Sequence, residues 1–171
     1  MHVRMITWAA VAAAALAGTA ALAQDDLDAT IVRTTYGIPH VTADSWEGVG
    51  YGVAYAYAQD NLCLLAEEFV TIAGERSLHF GPEAKSGQVD NLTSDVFMRA
   101  MIDLPRLREG ADAQGREANL LAAGYVAGYN RYLRDIGPEG APAECRGKAW
   151  VRPITMDDML RLTVKQMLLA S

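Results

Sequence analysis

The chain has 171 residues, of which 51% are hydrophobic, and a net charge of −6 at pH 7. This length suffices for one domain with a hydrophobic core of its own. The acidic balance disfavours nucleic acid and anionic membrane surfaces as partners, because both repel a negatively charged protein.

Residues 1–23 are typical of a cleaved secretory signal. Basic Arg4 precedes an alanine-rich apolar run over residues 6–16, and residues 21–23 (Ala-Leu-Ala) form a small-x-small cleavage site. The run is short for a membrane span, so an uncleaved anchor is the less favoured alternative. Cleavage would leave residues 24–171 as the mature chain, in the periplasm or outside the cell and without a membrane span.

Export decides how the two cysteines are interpreted. In an oxidising compartment, Cys63 and Cys145 most simply pair with each other. A bridge across this separation would stabilise the fold by roughly 4 to 5 kcal/mol in the chain-entropy model. The alternative is two buried free thiols.

The first elements of the mature chain predict a hairpin and a helix. Residues 30–34 and 39–43 are β-type runs around Gly37, with one strand beginning at Pro39. Asp44 or Ser45 can cap the helix that follows.

Glycine and alanine residues four positions apart form two stripes along this helix. Each glycine costs a helix interior roughly 1 kcal/mol relative to alanine, so we expect something to pack closely against it. A phosphate-binding loop is disfavoured, because the glycines alternate with tyrosines and no lysine follows. The stripes are Gly48, Gly52 and Ala56, and Gly50, Ala54 and Ala58.

A bend is expected at residues 59–61, with Asp60 as a buried acceptor or a cap. A second helix then carries apolar residues at helical spacing, from Leu62 to Ile72. Residues 85–91 predict an exposed loop. Ser94 or Asp95 is expected to cap a short apolar segment that runs to Ile102 and ends before Pro105.

The rest of the chain predicts two more helices. Residues 119–133 are amphipathic, with Gly124 and Gly128 four positions apart, and residues 137–147 form a loop rich in proline and glycine. The last helix follows Thr155 and is still apolar where the chain stops. We therefore expect a fragment of something larger, because an apolar helix without a terminator needs a surface to pack against.

The residues alone do not assemble an active site. His40 and His79 lie on separate predicted elements, without the spacing that metal binding favours. The acidic pairs at residues 67–68 and 157–158 are interpreted as solvated faces, because adjacent helical positions point apart. No serine occupies a G-x-S-x-G turn.

Several motifs in order resemble the N-terminal α chain of the penicillin acylase family of N-terminal-nucleophile hydrolases. The resemblance covers nearly the whole mature chain. Within the family, Asp60-Asn61-Leu62-Cys63 resembles the acyl-homoserine lactone acylase and aculeacin A acylase branch, whereas the penicillin G branch usually has arginine at the position of Asn61. The other matching motifs are residues 31–41, 51–55, 58–60, 74–76, 80–81, 124–130, Trp150 and Pro153.

The resemblance implies an α+β fold that is mostly helical, with an N-terminal β-hairpin. This α-chain domain would be part of an αββα hydrolase fold completed by a β chain from the same precursor. It also implies that the catalytic groups, a serine nucleophile and its own α-amine, lie on that β chain and not in this chain. Ser171 does not qualify as the nucleophile, since alanine precedes it where glycine is usual. No cofactor is implied, apart from a structural calcium bound mainly outside this chain.

By position, the family resemblance puts Met167, Leu168 and Ser171 near the acyl pocket of a small acylated substrate. The competing interpretation makes Met167 and Leu168 ordinary core residues. The implied activity is hydrolysis of the amide bond of long-chain acyl-homoserine lactones or related compounds, which would quench quorum-sensing signals. The alternatives are a penicillin or cephalosporin acylase, and a non-catalytic exported helical module that binds a partner.

Overall fold

A computed structural model describes residues 27–170 of the chain, apart from the side chain of Asp112. The predicted signal at residues 1–23 and Ser171 lie outside these residues. The fold is mostly helical, as the resemblance implied, with two small antiparallel hairpins. Among residues 27–170, no helix has the length and apolar character that a membrane crossing needs.

The N-terminal hairpin forms as predicted. Strands β1 (Thr30–Arg33) and β2 (Pro39–Thr42) pair antiparallel, with Ile31 opposite Val41. Gly37 lies in the turn with φ of 81°, a conformation that glycine adopts without strain.

Helix α1 (Trp46–Ala73) is the longest element. The Ser45 side chain caps it by accepting a hydrogen bond from Gly48 N, and Gly74 ends it in the left-handed region. The predicted bend is present, because Asn61 has non-helical angles within the helix. Asp60 is an acceptor as expected, but it is exposed rather than buried and pairs with Arg33 at 3.0 Å.

The middle of the chain differs from the prediction. Residues 85–91 do not form an open loop: β3 (Lys85–Ser86) and β4 (Val89–Asp90) pair, and Asn91 is buried at the start of α3 (Asn91–Met101). Asp90 caps α3, not Ser94 or Asp95. Asp95 instead accepts from two backbone N–H groups at the start of α2 (Arg76–Phe80).

The second half contains three helices and a short 3₁₀ turn. Helix α4 (Leu104–Gly110) has Pro105 in its first turn, where the missing N–H costs nothing, and the 3₁₀ turn Ala111–Gln114 follows. Helix α5 (Arg116–Ile136) extends the predicted amphipathic helix at both ends. Helix α6 (Met156–Ala170) ends the described chain.

The two glycine stripes of α1 face two different neighbours. A Cβ added at Gly48 or Gly52 would meet the hairpin, whereas one at Gly50 would meet the Leu121 backbone on α5. In return, a Cβ at Gly124 or Gly128 of α5 would collide with the α1 backbone. The core therefore depends on backbone-to-backbone contact between α1 and α5.

Candidate functional site: the α6 face and the adjoining cleft

A buried carboxylate anchors the start of α6. The Asp158 side chain is 2% exposed and accepts hydrogen bonds from Thr155 N at 2.9 Å and Thr155 Oγ1 at 3.0 Å. It also pairs with Arg152 at 3.2 Å and with Arg161 at 3.3 Å. The expectation of a solvated face at residues 157–158 is therefore wrong for Asp158. Arg152, just before α6, and Arg161, on α6, cover its side chain.

The charge balance around Asp158 keeps it ionised. Burial opposes ionisation of the carboxyl, but the hydrogen bonds from Arg152 and Thr155 outweigh it, so the pKa of Asp158 lies below its usual value. The sequence did contain a signal for this arrangement. Thr155 and Asp158 have the spacing of a capping box, in which the acidic side chain returns to the N–H at the helix start.

Two further ion pairs fix α6 against its neighbours. Arg108 on α4 holds Asp157 through two hydrogen bonds, of 2.9 and 2.5 Å. Lys165 Nζ lies 2.5 and 2.6 Å from the two carboxylate oxygens of Glu68 on α1. The prediction that Glu68 lies on a solvated face is therefore wrong. Lys165, 97 residues further along the chain, pairs with it and leaves it only partly exposed.

The α6 helix closes a cleft over α1 and α5. The cleft has a volume of about 320 Å³ and lies beside the Glu68–Lys165 ion pair. Burial raises the pKa of Tyr125 to about 12, so its phenol stays neutral. The lining is largely apolar: Tyr57, Leu64, Leu65, Glu68, Phe69, Tyr125, Leu162 and Gln166.

Large apolar side chains remain exposed on the two helices α1 and α6 that line this cleft, and two of them, Tyr57 and Leu64, belong to its lining. On α6, Met167 is 65% exposed and Leu169 is 72% exposed. On α1, Val53, Tyr57 and Leu64 are exposed as well. Exposed large apolar side chains on neighbouring helices are typical of a surface that binds a ligand or another polypeptide segment.

The predicted site residues fall in two places. Met167 and Leu168 lie in the last turns of α6, where Met167 is exposed and Leu168 is half-buried, so Met167 does not belong to the core of the described chain. The disulfide is present: Cys63 on α1 is joined to Cys145 in the loop after α5, with 5.5 Å between Cα atoms.

The two histidines of the described chain lie on separate elements, as the sequence predicted. His40 lies on β2 and His79 on α2. Within residues 27–170, no group of three or more His, Cys, Asp and Glu side chains is arranged to hold a metal ion. The described surface has features suited to binding: exposed apolar side chains, a cleft, and ion pairs that help to hold the last helix in position.

Comparison with known proteins settles the family. The penicillin amidase family model matches residues 28–169, which includes both hairpins and nearly all of α6. The chain belongs to the penicillin amidase family. Its members are acylases and amidases, which are hydrolases.

Related acylases are similar over most of this chain. The acyl-homoserine lactone acylase PvdQ of Pseudomonas syringae pv. syringae is 49% identical over 136 residues, which is 79% of this chain. PvdQ of Pseudomonas putida is 44% identical over 94% of the chain, and the aculeacin-A acylase of Actinoplanes utahensis is 39% identical over 83%. The chain spans only 17% to 21% of the length of these relatives.

A solved structure of the family has the same fold. The thermostable penicillin G acylase from Alcaligenes faecalis superposes with a TM-score of 0.69 and 29% identity. The superposition covers 82% of this chain and 72% of that one.

Proposed function

We propose that this chain is the α-chain part of an exported acylase that hydrolyses the amide bond of long-chain acyl-homoserine lactones or related acylated compounds. The observation that carries the proposal is the 49% identity to PvdQ over four fifths of the chain. Removal of the acyl chain from such a signal would make the enzyme quorum-quenching.

The α6 face supports an acyl substrate. Met167 and Leu168 lie in the last turns of α6, the helix whose Leu162 lines the cleft. A fatty acyl tail gains about 0.8 kcal/mol for each methylene that such a surface removes from water. In this proposal, Met167, Leu168 and Ser171 contact the tail and contribute to chain-length preference.

The chemical step is assigned to a β chain of the same precursor. Its N-terminal serine would attack the amide carbonyl, with the serine's own α-amine as the base, since a free amine titrates near neutrality. Oxyanion donors on the same chain would stabilise the tetrahedral intermediate. The exposed apolar side chains of α1 and α6 support this partner, because a packed β chain would remove them from water.

A penicillin acylase is the second candidate. The similarity to the penicillin G acylase structure favours it. Asn61 counts against it, because the penicillin G branch usually has arginine there. Asn61 is also the residue with non-helical angles at the kink of α1, so an arginine there would stand at a bend rather than on a regular helical face.

The test is substrate hydrolysis by the protein purified from its complete gene. Dodecanoyl-homoserine lactone and penicillin G are incubated in parallel, and the free amine released is measured. We expect rapid release from the lactone and little from penicillin G. Faster release from penicillin G would select the second candidate, and release from neither substrate would contradict both.

A further inference from the structure

A second cavity, larger than the α6 cleft, lies at the end of α5 and has no part in the proposed acyl site. Its volume is about 520 Å³, within the range typical of small-molecule sites. Its wall consists of the last turns of α5, the disulfide loop and the segment before α6: Asn130, Leu133, Arg134, Ile136, Gly137, Pro138, Ala141, Cys145, Gly147, Lys148, Val151 and Pro153.

The wall is held in place by bonds that do not depend on a ligand. The disulfide fastens Cys145 to α1, and Arg146 Nε donates to Ala141 O at 3.0 Å across the same loop. The Asn130 side chain clamps the opposite wall, accepting from Ile154 N at 2.8 Å and donating to Ile154 O at 2.9 Å. A preformed cavity loses less entropy when it binds a ligand.

Several polar groups of the wall already have partners inside the protein. The carbonyls of Gly137, Cys145 and Lys148 accept hydrogen bonds from backbone N–H groups further along the loop. The Asn130 amide makes one hydrogen bond through its nitrogen and one through its oxygen, both to Ile154. These bonds hold the loop in shape and reduce the number of acceptors open to a ligand that donates hydrogen bonds.

The charged groups of the wall are both cations. Arg134 and Lys148 are exposed on it, and none of its lining residues is acidic. Asp135, Glu139 and Glu144 are close in sequence, and Asp135 interacts with Arg134, but these three are not part of the lining. An anionic group suits these two cations, whereas the apolar part of the wall is formed by leucine, isoleucine, valine and proline side chains.

We propose that this cavity binds an amphiphilic carboxylate, such as a medium-chain fatty acid, with its carboxylate between Arg134 and Lys148 and its tail against Leu133, Ile136 and Val151. The site is separate from the α6 cleft and does not require that the protein be an acylase. If the protein is one, the acid that it releases belongs to the same chemical class as this ligand.

The first experiment is calorimetric titration of the protein from its complete gene with octanoate, octanamide and acetate. Octanoate should bind, octanamide should bind about tenfold more weakly because it lacks the charge, and acetate should not saturate because it lacks the tail. Equal binding of octanoate and octanamide would overturn the proposal, as would no binding of octanoate.

Variants and labelling locate the site. Lys148→Met should weaken octanoate binding about fivefold, Val151→Phe should abolish it by filling the cavity, and Lys85→Met, which removes a lysine from β3, should leave it unchanged. A diazirine analogue of octanoate should label peptides from residues 130–153. Labelling of α6 alone, or wild-type affinity in both cavity variants, would contradict the proposal.

The two proposals fail independently. Octanoate binding at residues 130–153 in a protein that hydrolyses no amide would leave this site standing and refute the acylase. Amide hydrolysis without octanoate binding would do the reverse.

Discussion

The contact between α1 and α5 and the contact between α6 and its neighbours are built on different physics. Helices α1 and α5 meet backbone to backbone at Gly50, Gly124 and Gly128, because a glycine leaves no side chain in the way at these points. Helix α6 packs Met159 and Leu162 on the core and adds ion pairs to its neighbours, from Asp157 to α4 and from Lys165 to α1. The first contact is fixed by shape and tolerates no added atoms, whereas the second leaves an apolar face exposed and suits a surface that binds a ligand.

Removal of the disulfide, which joins α1 to the loop after α5, should have the largest effect on stability. The double variant Cys63→Ala, Cys145→Ala should lose about 4 kcal/mol of unfolding free energy, since the bridge closes a long loop of the unfolded chain. Urea unfolding of the complete protein measures this loss. Ser86→Ala, at an exposed position, is the control, and a loss below about 1 kcal/mol in the double variant would show that the loop is held by packing alone.

Gly128→Ala tests the close approach of α1 and α5. The added methyl would collide with the Tyr51 backbone, so we expect a loss of about 3 kcal/mol, at the upper end of overpacking effects. Gly110→Ala is the matched control, because nothing lies within 4 Å of the Cβ it would add. The comparison between the two regions fails if both variants unfold at the same urea concentration.

Asp158→Asn tests the anchor of α6. Neutralising this carboxylate leaves Arg152 and Arg161 without their partner, and because both arginines are partly solvated we expect a loss of about 2 kcal/mol.

The pH dependence of this loss follows from the lowered pKa of Asp158. The stabilisation is fully present above the unfolded value of about 3.9 and is lost as the pH falls through the folded value. Stability of wild type and variant should therefore converge in acid. A difference that stays constant from pH 7 down to pH 2 would exclude this ion pair as its source.

Lys165→Met should have the smallest effect on stability, about 1 kcal/mol or less. The Glu68–Lys165 pair is partly exposed, and methionine retains most of the packing of the lysine stem. Thermal unfolding of the variant beside Lys85→Met, which alters an exposed lysine, measures the difference. A loss of stability as large as that of Gly128→Ala would mean that this ion pair stabilises the fold as much as the close contact between α1 and α5 does.

The sequence predicted the region of α1 and α5 well and the region of α6 poorly. The hairpin, the bend at Asn61, the glycine contacts and the disulfide all follow from local signals: turn residues, small-residue stripes and two cysteines in a chain predicted to be exported. The environment of Glu68 was mistaken because it depends on a partner on another helix. That of Asp158 was mistaken although its partners, Thr155, Arg152 and Arg161, lie within six residues of it, because the capping-box spacing was overlooked. Lys165 is 97 residues from Glu68, and no spacing rule connects them.

The predicted caps show the same limit on a smaller scale. Asp90 and Asp95 both cap helices, but Asp95 caps α2, which precedes it in the chain, rather than the helix that contains it. A capping residue is recognisable from sequence only when it acts on its own helix. Met167 and Leu168 were located by family resemblance, and their contact with a substrate stays a prediction.

The central claim is that the exposed end of α6 contacts the acyl chain of the substrate. The most direct measurement compares kcat/KM for hexanoyl- and dodecanoyl-homoserine lactone in Met167→Trp and in Met156→Trp, the latter at the other end of the same helix. We expect Met167→Trp to lower the dodecanoyl-to-hexanoyl ratio about tenfold by shortening the pocket, with Met156→Trp at the wild-type ratio. An unchanged ratio in Met167→Trp, in an enzyme that remains active, would contradict the claim.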